Sequence, residues 1–129
     1  MLGEATFVGF VPVRNLEHAR EFYCGVLGLR AVDQTPVALV VDAGGVRLRL
    51  SEVPEFQPQA FTIAGWQVSD MSSTVAALTS AGVEMKHYDG MVQDEQGVWI
   101  APSGDRVAWF ADPDGNVLSV TAGSMVEPP

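Results

Sequence analysis

Cysteine is almost absent from this chain: Cys24 stands alone among 129 residues. No intrachain disulfide can form, and a structural zinc site built on several thiolates is excluded. Basic side chains are scarce as well, seven Lys and Arg against sixteen Asp and Glu, which sets the formal charge at −9. Nucleic-acid surfaces rest on clustered Lys and Arg, so no nucleic-acid partner is expected. Long apolar runs are also missing. No stretch approaches the roughly 18 residues of a membrane-spanning helix, and Met1 to Phe10 lacks the basic segment and apolar run of a secretory signal. The expectation is a soluble cytoplasmic protein with no membrane partner.

What is present is enough apolar residue, 47% of the chain, to build a core. The charge is uneven: residues 1–60 hold 5 basic and 7 acidic groups, whereas residues 61–129 hold 2 and 9. A solvated acidic surface accounts for most of this without any partner.

Apolar periodicity writes one module twice. Phe7 to Val13 predicts a strand, Asn15 a helix N-cap, and Leu16, Ala19, Phe22, Tyr23, Val26 and Leu27 the inner face of a helix ending at Gly28. Leu29 to Gln34, Val37 to Asp42 and Val46 to Val53 predict three more strands, the last two joined by a Gly44-Gly45 turn. The second copy runs from a strand at Phe61 to Val68, through an N-cap at Asp70 and a helix stopping near Gly82. Strands at Val83 to Tyr88, Arg106 to Ala111 and Asn116 to Thr121 complete it. Asn15 and Asp70 correspond, as do Asp42, Gly45, Leu48 and Leu50 with Asp112, Gly115, Leu118 and Val120. The second copy is longer, and the polar segment 90–104 is the insertion, a candidate lid. The predicted fold class is α+β, two β-α-β-β-β modules (about 7–54 and 61–122) joined by a linker at 55–60. Their sheets are expected to curve around a cleft with helices on the convex side, and Glu127-Pro128-Pro129 is expected to be loose.

The segment Val11-Pro12-Val13-Arg14-Asn15-Leu16, with Ala19, Phe22-Tyr23 and Val26-Leu27-Gly28-Leu29, resembles the first module of the vicinal oxygen chelate superfamily. That superfamily holds glyoxalases, bleomycin-resistance proteins and extradiol dioxygenases. Phe110-Ala111-Asp112-Pro113-Asp114-Gly115-Asn116-Val117-Leu118 resembles its second signature. The same scaffold carries enzymes and binding proteins, so the resemblance implies fold more strongly than function. The turn at Asp112 to Asn116 is read as a hairpin device.

The resemblance also implies where a metal would be held: on the first and last strand of each module. Those positions carry Val8, Arg49, Ile63 and Ser119. Val and Ile offer no donor atom and Arg49 would repel a cation, so no metal and no cofactor are expected. Strand alternation then assigns the cleft face to Arg47, Arg49, Val8, Phe10, Ile63, Gly65, Gln67, Val117, Ser119 and Thr121.

The ligand-binding candidates are Arg49, Arg47, Phe10, Gln67 and Ser119 from this face, together with Trp99 beside the insertion and Trp109 on the seventh strand, either of which could stack on a flat ligand. Arg49 can clasp a carboxylate or phosphate, or instead pair with an acidic neighbour or a partner chain. His87 is the one candidate for moving a proton, although a structural role suits a lone histidine as well. Trp66 takes the helix-facing parity, whereas the parity of Trp109 is ambiguous. The leading expectation is a metal-independent small-molecule binding protein that sequesters an antibiotic or metabolite. The alternatives are a metal-independent lyase or isomerase acting on an anion held by Arg49, and an interaction module without a ligand. A homodimer is expected, because an exposed sheet edge invites pairing.

Overall fold

The computed structural model describes residues 1–123. The expectation for Glu127 to Pro129 lies outside them. The chain divides into two compact units, Met1–Gln57 and Pro58–Pro129. Each unit is a four-stranded mixed sheet with helical cover on one face, so the architecture is α+β.

In the first unit, β1 (Val8–Val13), β2 (Arg30–Thr35), β3 (Ala38–Asp42) and β4 (Arg47–Glu52) stand in the order β1-β4-β3-β2. Only the β1–β4 pair is parallel. The helix α1 (Leu16–Arg20) opens where Asn15 predicts, since the Asn15 side chain accepts a hydrogen bond from the His18 amide at 3.0 Å. The expected single α-helix to Gly28 is not what forms. From Glu21 to Val26 the chain winds as a π-helix, with the Leu27 amide reaching back to the Phe22 carbonyl. That wider turn buries both Phe22 and Tyr23, whose rings meet edge to face at 5.2 Å. They complete a core with Val11, Val13, Leu39, Val41, Leu48 and Leu50, the inward residues of three strands.

The second unit repeats the plan with β5 (Thr62–Gln67), α2 (Met71–Ser80), β6 (Trp99–Ile100), β7 (Arg106–Ala111) and β8 (Val117–Ala122). Its order is β5-β8-β7-β6, with β5 and β8 parallel. Asp70 caps α2 by accepting from the Ser73 amide at 3.2 Å, and Met71 and Val75 bury against Ala108, Phe110, Leu118 and Val120. The strand expected at Val83 to Tyr88 is absent as a regular element. The Lys86 amide reaches β7, donating to the Trp109 carbonyl at 2.8 Å, and the two-residue β6 pairs further along that edge. No helix among the described residues is long and apolar enough to cross a membrane.

Candidate functional site

Each sheet has one face without a helix, and strand alternation decides which side chains stand there. In the second unit Leu118, Val120, Ala108 and Phe110 are buried toward α2, so their neighbours in sequence take the other face. One cross-strand row is Gly65, Ser119 and Trp109, and the next is Gln67, Thr121, Val107 and Trp99. Trp66 pairs with Val120 on the helix side.

The Trp109 indole does not stand upright from this face. Its Nε1 donates to the Thr62 hydroxyl at 3.1 Å, and β8 lies between the strands that carry these two residues. The ring is therefore drawn across β8. That explains why Val117 and Ser119 are only 5% and 8% exposed on a face no helix covers. Thr62 reaches its position through a bulge: Thr62 pairs with Val117 and Ala64 with Leu118, so Ile63 is an extra residue. The ring of Tyr88 meets Trp109 edge-on at 5.6 Å, and the ring of Trp99 lies 6.1 Å away at a tilt of 37°. Burial lifts the Tyr88 phenol above its ordinary 10.0, so the group stays neutral at physiological pH.

Gly65 permits the close approach beside this cluster. A methyl group there would lie 3.0 Å from the Ser119 carbonyl oxygen and would strike the Ser119 hydroxyl. The hydroxyl can rotate but the backbone cannot. Gly65→Ala is expected to cost about 1 to 3 kcal/mol, measured by denaturant unfolding, through overpacking.

Segment 84–98 supplies Tyr88, and one side chain organises it. The Gln93 amide oxygen accepts from the Tyr88 amide at 2.7 Å, while its nitrogen donates to the carbonyls of Lys86 at 3.0 Å and Gly97 at 2.8 Å. A side-chain amide thus takes the place of a neighbouring strand. Lys86 sets its ammonium 5.9 Å from the centre of the Tyr88 ring.

In the first unit Leu48 and Leu50 face the core, so Arg47 and Arg49 take the helix-free face. Arg49 stands in register between Phe10 and Val40, and Arg47 between Val8 and Asp42. Asp42 is already engaged: it accepts from the Gly45 amide at 2.6 Å and from Arg30 at 3.2 Å. The Gly45 amide, and after it Arg30, hold the Asp42 carboxyl below its ordinary 3.8. A lowered folded value means that this bonding is fully present above the unfolded pKa and is lost as pH falls through the folded one. An NMR titration is expected to place the Asp42 midpoint below 3.8, with the Gly45 amide resonance moving in step.

The structure thus gathers Trp109, Trp99 and Ser119 with Thr62 and Tyr88, two residues the sequence reading did not select. Gln67 shares the face, its amide donating to the Gly123 carbonyl at 3.2 Å. Phe10, Arg47 and Arg49 share the face of the first sheet. His87 is placed differently: it is exposed and lines a depression with Thr79, Gly82 and Glu95 at the end of α2. A glycine within a strand was the readable signal for the close approach at Gly65. Nothing in the sequence marks Thr62, whose role follows from the bulge.

Comparison with known proteins shows the family and the fold. The model of the Glyoxalase/Bleomycin resistance protein/Dioxygenase superfamily matches residues 5–120, and the chain belongs to that superfamily. Catechol-2,3-dioxygenase of Bacillus subtilis (strain 168) is 24% identical over 147 residues, covering 96% of this chain and 51% of the relative. The chain therefore spans about half the length of that relative. An integron cassette protein from the mobile metagenome of the Halifax Harbour sewage outfall has a similar structure. It is 28% identical, with a TM-score of 0.70 over 93% of this chain and 99% of that one. The fosfomycin resistance protein FosX of Listeria monocytogenes shares the fold at 16% identity, with a TM-score of 0.72 over 95% of each chain.

A metal held as the resemblance implies would draw on Val8, Arg49, Ile63 and Ser119, which together offer a single hydroxyl and a repelling guanidinium. Ile63 is the bulged residue and the Ser119 side lies beneath the Trp109 indole. Among the described residues no three His, Cys, Asp or Glu side chains gather at metal-binding distance. These residues do not fit a divalent cation.

Proposed function

We propose that the chain is a metal-independent small-molecule binding protein that takes a flat organic ligand by stacking on the Trp109, Trp99 and Tyr88 cluster. The observation that carries this reading is the bond from Trp109 to Thr62, which fixes an indole across the sheet before any ligand arrives. A platform ordered in advance loses little side-chain entropy on binding, so more of the stacking energy appears as affinity. Thr121 and Gln67 in the adjoining row can supply polar contacts at the rim. The excess of acidic groups in the second half of the chain favours a ligand of neutral or positive charge by long-range attraction.

Of the three tryptophans, Trp99 and Trp109 stand on this face and Trp66 on the helix side of the same sheet, so a ligand-dependent change in emission is read against a constant Trp66 background. Titration with a panel of flat antibiotics is expected to give a saturable change in tryptophan fluorescence with at least one member. A response that only rises linearly with every compound would overturn the reading.

A further inference from the structure

The first unit carries a cation with nothing to neutralise it. Sixteen carboxylates are present in the chain, yet among the described residues no hydrogen bond or ion pair reaches the half-buried Arg49. Its cross-strand neighbours are Phe10 on β1 and Val40 on β3, both apolar. Two acidic residues share this face: Asp42 stands in the row of Arg47 and is bound to Arg30 and to the Gly45 amide, and Asp33 stands in the row of Arg49 but one strand further out, beyond Val40, where it accepts from the Gln34 amide at 2.8 Å. Phe10 is 67% exposed, so an apolar surface lies open beside the guanidinium.

We infer that Arg49, Phe10 and Val40 form an anion seat for a small apolar carboxylic acid on the helix-free face of the first sheet. The planar guanidinium can donate two parallel hydrogen bonds to a carboxylate. A half-buried charge without a counter-ion gains most from such a partner, because water screens the pair less than it would at full exposure. Phe10 and Val40 then cover the apolar body of the acid. A bare phosphate would use the charge and leave those two surfaces wet, which selects the carboxylic acid over inorganic phosphate.

The test uses 3-phenylpropionate as probe, with its neutral amide and inorganic phosphate as comparators, followed by amide chemical shifts of the whole chain. Saturable binding of 3-phenylpropionate is expected, with the largest shifts at Phe10, Val40 and Arg49 and at least ten-fold weaker binding of both comparators. Arg49→Met, which keeps the length of the stem, is expected to weaken the probe at least ten-fold. Arg49→Gln does the same should Met disturb the sheet, and a preserved amide spectrum shows that either variant is folded. The inference is overturned if the wild-type chain shows no saturable binding or if its shifts fall elsewhere. It is equally overturned if the neutral amide or phosphate binds as tightly as the acid, or if folded Arg49 variants bind unchanged. The readout lies in the first unit and is independent of the tryptophans, so its failure leaves the stacking proposal to its own titration.

Discussion

Trp109→Ala is expected to destabilise the second unit and to remove its ligand platform together. The indole is drawn across β8 over Val117 and Ser119, and its loss exposes one apolar and one hydroxyl side chain on the helix-free face. Replacing a fully buried tryptophan by alanine costs about 3 to 5 kcal/mol, and for this half-buried ring about 2 to 4 kcal/mol is expected. Stacking and apolar burial lost by a flat ligand amount to about 2 kcal/mol, roughly thirty-fold in Kd. Trp109→Phe separates the two effects. It retains an aromatic face but forfeits the bond to Thr62, which contributes about 1 kcal/mol to holding the ring across β8. Denaturant unfolding and fluorescence titration of both variants check this. Alanine should show the larger loss in each, whereas equal affinity of Trp109→Ala and wild type would remove Trp109 from the site.

Asp112→Ala is the second large effect, and it depends on burial more than on sequence motif. The Asp112 carboxylate accepts from the amides of Asp114 and Asn116, both at 2.9 Å, and from the Asn116 side chain at 2.8 Å. Asn116 is 2% exposed, so removing the carboxylate takes one hydrogen bond each from its buried backbone amide and its side-chain amide. Each such group costs about 1 to 3 kcal/mol, and a total of about 3 kcal/mol or more is expected by equilibrium unfolding. The corresponding residue of the first unit gives the control. Asp42 binds the Gly45 amide in a comparable turn, but there the side chain is 32% exposed, so water can reach the groups its removal would free. Asp42→Ala should therefore matter far less than Asp112→Ala.

That contrast shows what was legible in the sequence. Asn15, Asp70, Asp42 and Asp112 each announce a helix start or a turn through local hydrogen bonding, and the structure has them in those roles. Arg49 and Gly65 were placed by alternation against Leu48, Leu50 and Trp66, residues whose inward parity was clear. Trp109 was not, because Val107 and Trp109 are as apolar as Ala108 and Phe110, and a period of two cannot choose between two apolar sets. The expected strand at Val83 to Tyr88 failed for a different reason. Its alternation is strand-like, but Gln93, five residues beyond it, takes the Tyr88 amide and the Lys86 carbonyl with its own side chain. A competitor of that kind is a tertiary fact with no local signature. The bulge at Ile63, which brings Thr62 to the indole, and the π-helical turn after Arg20 are decided by packing in the same way.

The account rests most on a ligand binding to the Trp109 face without a metal. The direct measurement is the tryptophan fluorescence titration carried out twice on one preparation, once after exhaustive chelation and once with added divalent iron, manganese and zinc in turn. The account predicts the same saturable curve and the same Kd in every case, abolished or weakened about thirty-fold by Trp109→Ala. Binding that appears only when a metal is supplied would contradict it.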